Sequence, residues 1–116
     1  MTAADPGRHL PLRPADLHLL LALAEGDGHG YGLVQAIARD SGGLIRLDPG
    51  NLYRVIKRLL ADGLIGEAPA PAADADRRRY YRLTPLGRTV LTLELRRLDA
   101  LVRPPAVRAL MQGLAT

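Results

Sequence analysis

The segment from Asp48 to Gly63 constrains this chain more than any other. Leu52, Val55, Ile56, Leu59 and Leu60 recur at the i, i+3, i+4, i+7, i+8 spacing of one apolar helical face. Asp48 offers a side-chain oxygen as N-cap, Pro49 fits the first turn where its missing N–H costs nothing, and Gly63 suits the position that ends a helix. At about 100° per residue, Gly50, Arg54 and Lys57 fall opposite the stripe, with Asn51 and Arg58 on one shoulder and Tyr53 on the other. Such a helix must lay its stripe on a core and turn a cationic, hydrogen-bonding face outward. The rest of the chain has to supply that core.

Upstream, Met1 to Pro14 hold three prolines and no periodic pattern, which predicts a flexible lead-in over 1–14. From Asp16, the residues Leu17, Leu20, Leu21 and Ala24 recur at helical spacing until Glu25-Gly26-Asp27-Gly28 closes the segment as a turn. A second helix begins near Gly30, with Tyr31, Val34, Ile37 and Ala38 on one stripe, and stops at Ser41-Gly42-Gly43. Leu44-Ile45-Arg46-Leu47 is too brief for a helix and predicts a short strand. Downstream of the third helix, Leu64 to Ala68 and Arg79 to Leu83 read as two strands joined by a projecting Ala/Pro/Asp loop, Pro69 to Asp76. Thr84-Pro85 repeats the cap-plus-proline start, and a long helix runs to Val102, where Pro104-Pro105 breaks it. A last short helix is expected over Ala106 to Leu114. Three helices with a two-stranded wing make a mainly α (α+β) fold, the winged helix-turn-helix, with residues 15–84 as the winged domain and 85–116 as a C-terminal dimerisation helix plus a short terminal one.

Charge is concentrated where that architecture would use it. The chain carries +4 in all; between Arg46 and Arg88 nine cations face five anions, and the remainder has seven of each. The whole excess thus lies around the third helix and the wing, the electrostatic footprint of a polyanion-binding surface. Fifteen of the sixteen cations are Arg, whose planar fork suits phosphate and guanine edges, although a GC-rich genome would write Arg for its own reasons. No cysteine is present, which excludes disulfides, thiolate chemistry and cysteine-rich metal sites. His9, His18 and His29 lack metal-ligand spacing, and Ser41, the sole serine, has no recognisable base. No catalytic residue, metal or cofactor is expected. No apolar run approaches a membrane span, so a cytoplasmic protein without a membrane partner is expected.

Four blocks of sequence resemble the PadR-like transcriptional regulators: His29-Gly30-Tyr31-Gly32, Pro49-Gly50-Asn51-Leu52-Tyr53, Lys57-Arg58-Leu59-Leu60-Ala61-Asp62-Gly63-Leu64-Ile65, and Arg77-Arg78-Arg79-Tyr80-Tyr81-Arg82-Leu83-Thr84-Pro85-Leu86-Gly87. They stand in order across roughly Leu17 to Leu101. The resemblance implies a dimeric winged-helix protein that binds operator DNA, usually as a repressor. Asn51 departs from the Thr or Ser usual in the family but keeps a small polar side chain, and Pro104-Pro105 shortens the helix through which the family dimerises.

On the third helix, Asn51, Arg54 and Lys57 have side chains that reach phosphates or base edges. Arg58 is divided between DNA and a solvated face, and Tyr53 between donating to a phosphate and packing beneath the wing. Arg77, Arg78 and Arg79 enter the second wing strand where a wing tip meets the minor groove or its phosphates, with Tyr80 beside them. Strand alternation sends Tyr80 and Arg82 one way and Tyr81 and Leu83 the other, so one tyrosine belongs to the core. Gly30 and Gly32 around Tyr31 call for a close approach or tight turn, and His29 reads as a cap or surface residue. Along the long helix, Leu91, Leu95, Leu98 and Val102 form one row and Val90, Leu93 and Leu101 another; one is expected to cover the domain and the other a second subunit, unless the terminal helix folds back over it. The expected function is sequence-specific DNA binding by a homodimer at an inverted repeat, the alternative being a winged-helix module that docks onto protein. A small-molecule effector is possible, but no Trp or Phe is present and all four Tyr lie outside the long helix, so nothing indicates one.

Overall fold

The computed structural model describes residues 5–74 and 78–115. Its elements are α1 (Pro14–Ala24), β1 (Gly28–His29), α2 (Gly30–Asp40), α3 (Pro49–Ala61), β2 (Ile65–Ala68), β3 (Tyr80–Leu83), α4 (Pro85–Leu101) and α5 (Pro105–Ala115), with 3-10 turns at Pro6–His9 and Ala72–Asp74. The fold is a winged helix-turn-helix. The sheet has the order β1-β3-β2, antiparallel throughout: Ile65 pairs with Leu83 and Ala68 with Tyr80, while Gly28 pairs with Tyr81 and His29 with Tyr80.

The expected helix starts form as their caps require. Asp48 Oδ1 accepts from the Asn51 N–H at 2.8 Å and Pro49 fills the first turn of α3, burying Leu52, Val55, Ile56 and Leu59. Thr84 Oγ1 accepts from the Gly87 N–H at 3.0 Å and donates to the Gly63 carbonyl at 2.6 Å, tying the start of α4 to the end of α3. Tyr81 and Leu83 are the buried pair of β3.

Several expectations are corrected. The stripe expected on α1 is rotated: Leu19, Leu20 and Leu23 are buried, Leu17 and Leu21 only partly so, and Ala24 is exposed. The cause is that α1 is packed against α2, α3, α4 and β3 at once, and a helix enclosed on several sides has no single apolar stripe to read. On α2 the buried residues are Leu33 and Ile37, while Tyr31 is exposed. Residues 44–47 form no strand; the Ile45 N–H donates to Ser41 Oγ at 2.9 Å, and Ile45 and Leu47 lie against the core. The third strand is Gly28–His29 instead, inside the expected turn, because two residues are too few to show alternation. The expected flexible lead-in is ordered from Asp5: the Pro6–His9 turn packs on α4, Leu10 and Leu12 lie against the core, and the Leu12 N–H donates to Glu94 Oε2 at 2.7 Å.

The long helix divides by length and not by rows. Val90 and Leu91 are buried with Gly87 and Glu94 in its first half, so neither is available to a second subunit. Leu95 and Leu101 are exposed, with Leu98 and Val102 half-buried beside them, because the winged domain covers only the first turns of α4. Helix α5 does not cover this end, since Leu110 and Met111 are themselves 73% and 53% exposed.

Candidate nucleic-acid interface

The outward face of α3 presents Asn51, Tyr53, Arg54 and Lys57, all exposed. They are arranged and not merely solvated. Asn51 Nδ2 donates to Asp48 Oδ2 at 3.1 Å, and Asn51 Oδ1 accepts from Arg54 Nη1 at 3.5 Å, so the N-cap carboxylate holds Asn51, which in turn holds Arg54. The Lys57 ammonium stands 5.8 Å from the centre of the Tyr53 ring, within cation–π reach. Tyr53 is 63% exposed and does not enter the core.

Arg58 is held elsewhere. Its Nη2 donates to Asp16 Oδ1 at 2.5 Å, bridging α3 to the first turn of α1. Burial pushes the Asp16 carboxyl above the ordinary aspartate value, and the neighbouring Arg58 offsets that push only in part. The helical wheel places Arg58 on a shoulder but cannot show a partner 42 residues away.

The wing brings its arginines to the same side. Arg78 and Arg79 are exposed and, with His29, Tyr31, Leu52 and Tyr53, line a cleft of about 580 Å³ between the starts of α2 and α3 and strand β3. No carboxylate lines that cleft among the described residues. Arg79 pairs with Glu67 across the hairpin at 3.6 Å, with both side chains largely exposed, a contact worth little in water. Tyr80 is half-buried at the strand's edge, and burial raises the phenol of the core residue Tyr81 above its ordinary value. Arg77, the remaining expected wing contact, lies outside the described residues.

A second buried ion also escapes the sequence. Glu94 is 1% exposed and accepts from Arg97 Nε at 2.5 Å and from the Leu12 N–H. The bond from Arg97 holds its carboxyl below the ordinary glutamate value, against the opposing push of burial. The spacing of Glu94 and Arg97 at i, i+3 is visible in the sequence, whereas the burial is not. Among the described residues no three His, Asp or Glu side chains gather as a metal site.

The comparisons with known proteins point in one direction. The model of the "Transcriptional regulator PadR-like family" matches residues 19–93. The transcriptional regulator Rv3488 of Mycobacterium tuberculosis is 40% identical over 87 residues, which cover 75% of this chain and 78% of that protein. A transcriptional regulator from Clostridium thermocellum superposes with a TM-score of 0.63 at 27% identity, over 76% of this chain and 85% of that one. A PadR family transcription regulator from Clostridium difficile R20291 shares the fold with a TM-score of 0.64 at 19% identity, over 90% of this chain and all of its own. With a family model spanning the core from α1 into α4, this chain belongs to the PadR-like family of transcriptional regulators, and it is a regulator, not an enzyme.

Proposed function

We propose that this chain is a homodimeric repressor that binds double-stranded DNA in a sequence-specific way at an inverted repeat. The observation that carries the proposal is one cleft, without a carboxylate among the described residues, lined by Tyr53 of α3 and by the wing arginines Arg78 and Arg79, with Arg54 and Lys57 exposed on the same helix. Helix α3 enters the major groove, where Asn51 suits adenine and Arg54 or Lys57 suits guanine. Arg78 and Arg79 hold the flanking backbone, and Arg77 continues their run in the sequence. In this scheme residues 15–84 hold DNA and 85–116 join the subunits. The apolar end formed by Leu95, Leu98 and Leu101 of α4 and the residue that caps it, Val102, with Leu110 and Met111 of α5, is what a second copy covers. A two-fold dimer then sets two α3 helices about 34 Å apart, one DNA turn.

The test is fluorescence anisotropy of the purified protein with the DNA upstream of its own gene and with a scrambled duplex, each at two salt concentrations. Tight, salt-sensitive binding to the first alone is expected, lost on changing Arg54 and Lys57 together to Ala. Equal weak binding to both duplexes would refute sequence-specific recognition. No binding at low salt would leave a winged-helix module that docks onto protein.

A further inference from the structure

His29 stands where α2 meets the wing, with both ring nitrogens facing donors. Its Nδ1 accepts from the Gly32 N–H at 3.2 Å and so caps α2. Its Nε2 lies 3.0 Å from Arg78 Nη1. The ring meets Tyr80 edge to face, with centroids 5.2 Å apart and planes at 70°, and His29 is also the strand partner of Tyr80. Gly32 leaves room for this ring, since a Cβ there would lie 3.3 Å from two of its atoms. The imidazole is therefore fixed by a cap, a strand pair and an aromatic edge.

A neutral imidazole has one acceptor nitrogen and one N–H, whereas the Gly32 amide and the Arg78 guanidinium both donate. One neutral ring cannot accept from both. With its lone pair kept on Nδ1 by the cap, the proton sits on Nε2 and meets Arg78 donor to donor. Two converging donors are satisfied by an anion between or beside them. The other titratable and charged groups of this corner are Tyr31 from α2, Tyr53 from α3, and Arg79, Tyr80 and Tyr81 from the wing, with Glu67 of β2 held by Arg79.

We propose that His29 Nε2–H and Arg78 together form a subsite for one backbone phosphate of duplex DNA. The subsite rests on the DNA-binding function proposed above and adds to it a residue from outside α3 and the wing. The phosphate oxygen accepts from Nε2 and from Nη1 at once, while Nδ1 keeps its place at the cap. DNA binding thereby removes the conflict between the two donors.

His29→Ser keeps a hydroxyl of the kind that caps helices and removes the second donor. The probe is a labelled mixed-sequence duplex of about 30 base pairs, long enough for two half-sites one turn apart, at low salt, because phosphate contacts do not depend on sequence. Each of His29→Ser and Arg78→Ala should weaken binding about tenfold, the size of one hydrogen bond to a charged group, and the double variant should be little weaker than either. Effects of the two substitutions that multiply would overturn the subsite. If Arg78→Ala leaves affinity and salt slope unchanged while Arg54→Ala with Lys57→Ala abolishes binding, the subsite falls and α3 still binds DNA. If the wild type binds no duplex, both fall together. Melting temperatures of the variants without DNA separate a lost contact from a lost fold.

Discussion

Gly87 is where the packing of this domain is least forgiving, and Gly87→Ala tests it. A Cβ at this position would stand 1.9 Å from the carbonyl oxygen of Leu64 and 2.9 Å from both the Leu64 carbonyl carbon and Leu83 Cδ1. The first two are backbone atoms that no rotamer change can move. The Leu64 oxygen also accepts from the Thr84 N–H at 3.2 Å, so displacing it strains the junction that seats α4 on the wing. Alanine brings about 1 kcal/mol of helix propensity. Overpacking typically costs about 1–3 kcal/mol and at times more, and a clash this deep with backbone belongs at the upper end. The net loss is about 2 kcal/mol. Urea unfolding at fixed protein concentration should show it as a midpoint lower by about 1 M, for a slope near 2 kcal/mol/M. Gly113→Ala is the control, since a Cβ there meets nothing within 4 Å, and its midpoint should be unchanged or slightly raised. A Gly87→Ala midpoint equal to or above wild type would refute the reasoning.

Four further outcomes follow from the ion pairs and the apolar end of α4. Glu94 is held below its ordinary value in the folded chain, so its contribution is present above about pH 4.5 and is lost as pH falls through the folded value; Glu94→Gln should lose less stability than wild type between about pH 5 and pH 3 in acid titrations followed by circular dichroism. Asp16 runs the other way, because a raised carboxyl value makes the folded chain hold the proton more tightly, and its share of stability falls as pH rises from 3.8 through the folded value; Asp16→Asn should remove that decline. Arg58→Ala strands the Asp16 carboxylate and should cost about 1–3 kcal/mol in thermal melts, yet leave the salt slope of DNA binding unchanged, whereas a slope reduced by about 0.9 would return Arg58 to the DNA contacts. Leu101→Asp places a charge at a 55% exposed position outside the core, and in sedimentation the 12.5 kDa chain should run at its own mass where wild type runs at twice that; a dimer that persists would remove α4 from the interface.

What the sequence made legible was local. The Asp48-Pro49 and Thr84-Pro85 starts, the stripe of α3 and the two hairpin strands are encoded within a few residues of where they act, through caps and short periods. What stayed hidden depends on partners distant in the chain. The short strand moves from residues 44–47 to Gly28–His29 because its pairing is decided by β3, some fifty residues downstream. The N-terminal segment is ordered because one backbone N–H finds a carboxylate 82 residues away, and prolines gave the opposite impression. The rows of α4 carried no mark of where the domain ends beneath the helix, so core and exposed leucines read alike.

The same distinction governs the charge on which the function rests. A tally of cations treats Arg58, Arg79 and Arg54 as equals, but the folded chain does not. Arg58 is committed to Asp16 and Arg79 is lightly held by Glu67, while Arg54, Lys57 and Arg78 have no described carboxylate within salt-bridge distance. Among the cations without a described acid partner, Arg78 stands at the cleft and Arg54 and Lys57 on the outward face of α3. An incoming phosphate at these positions therefore displaces water and small ions and breaks no internal pair, which is the condition under which each neutralised phosphate appears in full in the salt dependence. At Arg58 the same phosphate would have to compete with a buried carboxylate, and the geometry of α1 would have to yield first.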